Sequence, residues 1–229
     1  MTGTYRRART VKPGTISGLR GDKMGGVDFP FDFEKALEAV VYLAAKDIPA
    51  FDKYKICKLL FLADKYHLVR FGRPITGDRY FALPHGPVPT AILKLLTKAV
   101  DGKTDDTRVD TLLEVLAIDR SPLYPRFSVK DSAQMTYERL SKSDREALDE
   151  IVTRFGAKTF DELKVLTHGM VAYEKAWSKR KKKPVSKNKT LASVPMAFED
   201  FFEEDSDAVS GAREEMIEDF TLRRVFAGK

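Results

Sequence analysis

Cysteine, histidine and tryptophan are scarce in this chain: its 229 residues include one Cys, three His and one Trp. Cys57 alone cannot form an intrachain disulfide, and the sequence holds neither a cysteine-rich zinc pattern nor a His-Glu-x-x-His helix. No stretch approaches the roughly 18 apolar residues that a membrane-spanning helix requires, so no membrane partner is expected. Arg6, Arg7 and Arg9 near the start precede no apolar run, which argues against a secretory leader. Glycine-rich phosphate loops and the G-x-S-x-G turn of serine hydrolases are also missing. The expected setting is a reducing cytoplasm, with no cofactor, no metal and no catalytic residues.

The net charge of +6 is unevenly spread. Residues 1–23 hold six basic residues and one acid, and residues 179–189 hold seven basic residues and no acid. Residues 190–229 hold four basic and ten acidic residues, which leaves 23 of each sign for residues 24–178. The central part is therefore neutral and the ends carry the imbalance. Three regions follow: a disordered basic arm at 1–27, a folded domain at 28–178, and a charged flexible tail at 179–229, basic and then acidic-aromatic. The basic runs admit nucleic acid as a partner, but they lie only in the ends, so that partner is not favoured.

Within 28–178 the pattern is mostly helical: an α+β fold, a compact helical bundle carrying a small antiparallel β ribbon. Asp32 is a good N-cap, and Phe33, Ala36, Leu37, Val40, Val41 and Ala44 form one apolar stripe. Asp52 starts a second helix over Lys53 to Phe71 that is apolar on more than one side, as a central helix should be. Gly72 suits its C-terminal cap and Pro74 forbids continuation. Residues 79–83 alternate as a short strand, and 123–130 read as its antiparallel partner, with 111–118 ambiguous between helix and strand. Pro89 suits the first position of a helix over Thr90 to Val100. Ser141 with Asp144, Ser143 with Glu146, and Thr159 with Glu162 are capping-box candidates for later helices, followed by a short helix with Tyr173 and Trp177.

The most informative stretch is 73–89, Arg-Pro-Ile-Thr-Gly-Asp-Arg-Tyr-Phe-Ala-Leu-Pro-His-Gly-Pro-Val-Pro. Fixed proline angles make it a stiff loop held between two helices, a surface suited to recognition. Arg79, Tyr80, His85, Gly86, Pro87 and Pro89 are its candidate partner-contacting residues. Phe198, Phe201 and Phe202, set among acids in the tail, are candidates for docking onto a basic partner. Cys57 reads as inert packing. Asp64 and His67 could form an oriented base, although the same spacing serves an ordinary helix contact. Residues 141–167 could form a DNA-reading helix-turn-helix, the alternative function, but Asp161 and Glu162 would face phosphates.

One resemblance sharpens this picture. Lys58-Leu59-Leu60-Phe61-Leu62-Ala63-Asp64, Gly72-Arg73-Pro74-Ile75, Gly77-Asp78, Tyr80 and His85-Gly86-Pro87-Val88-Pro89 resemble the Panacea domain, the SocA-like antitoxin family also described as phage-associated. Leu140 to Asp144 and Leu166-Thr167-His168 resemble its C-terminal half, so the likeness runs over about 30–178. Asp64, Gly72, Pro74, Gly77, Asp78, Thr167, His168 and Trp177 are then motif positions with structural roles. Ala172-Tyr173 stands where the family would place a Trp, and Trp177 comes later. The resemblance implies a toxin–antitoxin system: an antitoxin without catalysis that neutralises a cognate toxin protein by direct binding, with delivery of that toxin to a cytosolic protease as a further role.

Overall fold

The helices form where local capping and apolar spacing agree. In the computed structural model, which describes residues 26–180, 193–203 and 208–227, helix α1 spans Phe33–Ala44, with the Asp32 carboxylate accepting from the Lys35 amide at 3.0 Å. Helix α2, Lys53–Phe71, starts in the same way, Asp52 accepting from the Lys55 amide at 2.8 Å. It ends at Gly72, whose φ of +67° is the left-handed geometry that glycine adopts without strain. Further on come α3 (Thr90–Val100), α4 (Thr107–Val115), α5 (Lys142–Phe155), α6 (Phe160–His168), α7 (Val171–Ser178) and α8 (Ala212–Ala227).

Helix α2 is the axis of the bundle. It packs against α1, α3, α5, α6 and α8, which explains why its apolar residues cover more than one side. Ile56, Leu59, Leu60, Phe61, Ala63 and Leu68 are all buried. Cys57 is buried too, as the sequence suggests, and burial pushes its thiol up to about 12. The Ser141–Asp144 and Thr159–Glu162 capping boxes start α5 and α6, both partners of each box being in place. Ser143 is not a cap. Its hydroxyl lies 3.0 Å from His67 Nε2.

The β structure departs from expectation. Strand β1 (Tyr80–Leu83) pairs with β2 (Gly86–Pro89), not with residues 123–130. The register sets Leu83 opposite Gly86 across a two-residue turn, Pro84-His85, and Tyr80 opposite Pro89. Pro87 and Pro89 fall on alternate positions of an edge strand, so their missing amides are those that would point away from the ladder. Strand β4 (Arg126–Val129) pairs instead with β3 (Leu116–Asp119), which follows α4 without a break; the ambiguous 111–118 segment is helix up to Val115 and strand after it. Pro89 is the residue before α3 rather than its first turn.

The largest correction concerns the segment read as a flexible tail. Strand β5 (Val194–Pro195) adds to the free edge of β1, and Phe198–Phe202 forms a 3-10 helix. Phe198 and Phe201 are buried at 5% and 1% exposure, with Phe202 partly buried against the same core. Their rings meet Phe29 at 5.1 Å (Phe198) and Phe61 at 5.5 Å (Phe201), edge to face. The acids are partnered as well: Lys175 of α7 pairs with Glu203 at 2.5 Å and Asp200 at 3.3 Å. Helix α8 lies across Gly72, where an added Cβ would sit 2.9 Å from the Ala212 carbonyl oxygen. These phenylalanines therefore serve the chain's own core and are not free to dock elsewhere. The basic arm up to residue 25 and most of the 179–189 run lie outside the described residues.

Phe201→Ala is expected to cost about 3–5 kcal/mol, the usual penalty for removing a buried aromatic ring. Urea unfolding followed by circular dichroism measures it; a dispensable tail would show no change.

Candidate functional site

The 72–89 loop is built on one carboxylate. Asp64, fully buried on α2, accepts from the Ile75 amide (2.8 Å), the Thr76 amide (3.0 Å), the Thr76 hydroxyl (2.5 Å) and the Tyr80 hydroxyl (2.7 Å). Burial raises its pKa to about 6, and the four donors hold it down from going higher. Gly77, with φ +67°, passes so close to the Pro30 carbonyl oxygen that a Cβ would collide with it. Asp78 then caps α3 from a distance. Its carboxylate accepts from the amides of Ala91 (3.0 Å) and Ile92 (2.9 Å), supplying the side-chain cap that Pro89 lacks.

His67 belongs to a different network. Its Nδ1 lies 2.7 Å from the Arg73 carbonyl oxygen, and its Nε2 lies 3.0 Å from Ser143 Oγ and 3.2 Å from Asp144. Desolvation pushes its pKa down to about 4, so it stays neutral while Arg73 (3.3 Å) and Lys35 (2.8 Å) neutralise Asp144. Among the described residues no hydrogen bond joins Asp64 to His67, and the oriented pair considered from spacing is not assembled.

The structure divides the candidate contact residues. Arg79 and His85 are exposed, Arg79 paired with Asp28. Tyr80, Gly86, Pro87 and Pro89 are buried, so Tyr80 acts from inside through Asp64 and not as a presented side chain. Of the motif positions, Asp64, Gly72, Pro74, Gly77, Asp78 and Thr167 are buried, while His168 and Trp177 are half-buried. Tyr173, standing near the place expected for Trp, stacks between His168 (4.4 Å) and Trp177 (5.8 Å) and donates to the Leu83 carbonyl at 2.9 Å. The α7 rings thereby support the hairpin from behind.

Two features escaped the sequence reading. One is Lys58, 2% exposed on α2, whose ammonium donates to the Pro87 carbonyl at 3.0 Å. Burial lowers its pKa to about 7, opposed in part by Cys57, and among the described residues no carboxylate forms an ion pair with it. A lysine flanked by Ile56, Cys57, Leu59 and Leu60 was the available signal. The other is an exposed aromatic patch around the hairpin tip. Tyr54 of α2 lies 6.3 Å from Tyr124 and 6.0 Å from Phe160 of α6, and Phe160 lies 6.1 Å from His85. Leu123 beside Tyr124 is 87% exposed. These residues come from four separate parts of the chain, so no local motif announces them.

The Lys58 geometry has a measurable consequence. The folded state binds fewer protons than the unfolded chain between about pH 7 and the ordinary lysine range, so stability rises with pH there. Cys57, held protonated to about 12, opposes this only above its ordinary value near 9. Between pH 7 and 9 the protein is expected to gain on the order of 1–2 kcal/mol, and Lys58→Met to lose that slope. Urea midpoints across this window check it; a flat wild-type profile would contradict the burial of this cation.

Comparison with known families places these same residues in one context. The family described as antitoxin SocA-like, Panacea domain, matches residues 56–178, a span that runs from within α2, through the Asp64-braced loop and hairpin, to the end of α7. No characterised protein and no solved structure matches the chain. The match covers more than half of the sequence, and the chain belongs to the SocA-like antitoxin family, a membership that supports an antitoxin role.

Proposed function

We propose that this protein neutralises a cognate toxin polypeptide by binding it directly, with no bond made or broken, and that the contact face is the aromatic patch at the tip of the β1–β2 hairpin. Family membership supports the role. The observation that carries the assignment to this face is the exposure of Leu123 at 87%, Tyr124 at 58% and Phe160 at 36%, side by side with exposed His85. Aromatic side chains grouped on an exposed surface are the usual anchors of protein interfaces, because they bury much area for little rotamer entropy. The hairpin, braced by Asp64 beneath, holds His85 beside them without further ordering cost. Transfer of the bound toxin to a cytosolic protease is an extension of the same binding event.

The alternative reading, duplex DNA held by α5 and α6, is less well supported. Helix α6 opens with Asp161 and Glu162, and Glu162 is engaged in the capping box. Carboxylates at that end meet phosphates with like charge.

The test uses the toxin that co-purifies when this gene and its neighbouring open reading frame are expressed together. Leu123→Asp with Tyr124→Asp is expected to weaken toxin binding by about a hundredfold or more, as removal of interface anchors does, and to abolish growth rescue. The thermal midpoint should not change. Full affinity in the double variant would remove this face from the mechanism.

A further inference from the structure

Beneath the aromatic patch, and sharing some of its rings, lies a cavity of about 230 Å³. Tyr54, His85 and Phe160 line it together with Leu83, Val88 and Leu93, and Lys58 is part of its wall. The lining is mostly apolar, with Thr97 and His85 as polar members and charges of one sign. Lys58 and Lys53 contribute to it, and no Asp or Glu does.

Lys58 itself is unusual. Its ammonium carries three donors, yet the described residues offer it one acceptor, the Pro87 carbonyl. Among the described residues no carboxylate stands within ion-pair distance of it. Among the ionisable groups that act on it are Cys57 and Lys164, and Lys164 opposes its charge. A buried cation without a counter-charge is costly, and a lysine that served only to tie down a carbonyl could be replaced by a neutral donor at lower cost.

The backbone is shaped around this cation. Gly86 has φ +99°, and a Cβ there would run into Lys58 Nζ, with Thr167 Oγ1 at 2.9 Å and His168 Cδ2 at 3.3 Å. Three polar side chains from α2 and α6 thus converge on the hairpin where it is narrowest. One of them, His168, has a buried Nε2 with no hydrogen-bond partner. Lys58 thus keeps donor capacity that the Pro87 carbonyl does not fill, and His168, on the far side of Gly86, keeps an unpartnered ring nitrogen.

We propose that this pocket binds a carboxylate carried on an apolar body, with Lys58 as its counter-charge and the rings of Tyr54 and Phe160 against the body. The donor set favours a carboxylate over a phosphate. One buried ammonium matches a single negative charge, no arginine fork is present in the lining, and most of the remaining wall is aliphatic or aromatic. Such a group could arrive as a free small acid or as a glutamate side chain with apolar neighbours; the chemistry recognised is the same.

The full-length protein, labelled with 15N, is titrated with 3-phenylpropionate and with its neutral amide, and the amide shifts of Leu83, His85, Gly86 and Val88 are followed by NMR. The acid is expected to bind saturably and at least about tenfold tighter than the amide, the effect of one buried charge pair. Lys58→Gln keeps a donor for the Pro87 carbonyl but loses the charge, and it should bind acid and amide equally. A second pair of probes, a capped pentapeptide with a central Glu between two Phe residues and its Gln counterpart, identifies the carrier. Preference for Glu extends the site to polypeptide ligands, and preference for the free acid alone assigns it to small molecules. Equal binding of acid and amide by the wild type, no saturable binding of either, or an acid preference that survives in Lys58→Gln would each overturn the proposal. The wild-type comparison decides the matter even if Lys58→Gln does not fold.

Discussion

A single buried carboxylate organises this protein. Burying Asp64 is unfavourable in isolation, and its raised pKa is the direct sign of that cost. Two backbone amides and two hydroxyls from residues 75–80 offset it, and in doing so they fix the path of a segment too rich in proline and glycine to form a helix. Once Thr76 is held, Gly77 can pass under Pro30, and Asp78 falls where it caps α3. Tyr80 enters the core on the same anchor and sets the start of the hairpin. One charge on α2 therefore positions the loop, the helix after it and the hairpin tip.

The C-terminal segments complete what that anchor begins. Without β5 the outer edge of β1 would expose unpaired amides and carbonyls, a template for unwanted strand pairing. Val194–Pro195 closes that edge, and Phe198 and Phe201 fill the space between Phe29, Phe61 and Tyr80. The acids around these phenylalanines, which make the segment read as a tail, are paired with Lys175 or engaged locally, as where Glu199 accepts from the Val27 amide at 2.8 Å. The family match ends at residue 178, so this closure is made by a part of the chain beyond the matched span.

What could be read from the sequence divides along a physical line. Helices α1, α2, α3 and α5 were legible because caps and apolar spacing are local: Asp32, Asp52, Gly72 and the Ser141–Asp144 box each act within one turn. The strand partner of 79–83 was not, because proline at 87 and 89 argues against a strand unless it lies at an edge, and edge position is a tertiary property. Phe198 and Phe201 were misread because composition reports what a segment does alone and not what core it can meet. The roles of Asp64 and Tyr80 were half legible: the motif marked them, but spacing could not show that both point inward. The patch of Tyr54, Leu123, Tyr124 and Phe160 was not legible at all, since only the folded chain brings α2, α6 and the 120–125 turn together.

The most direct test of the Asp64 anchor is native-state hydrogen exchange at the Ile75 and Thr76 amides, which donate to it. If the carboxylate welds the loop to α2, these two amides exchange only on global unfolding, with the same protection and the same urea dependence as the amides of Leu60 and Phe61. Exchange at rates typical of an open loop, with little urea dependence, would contradict the account.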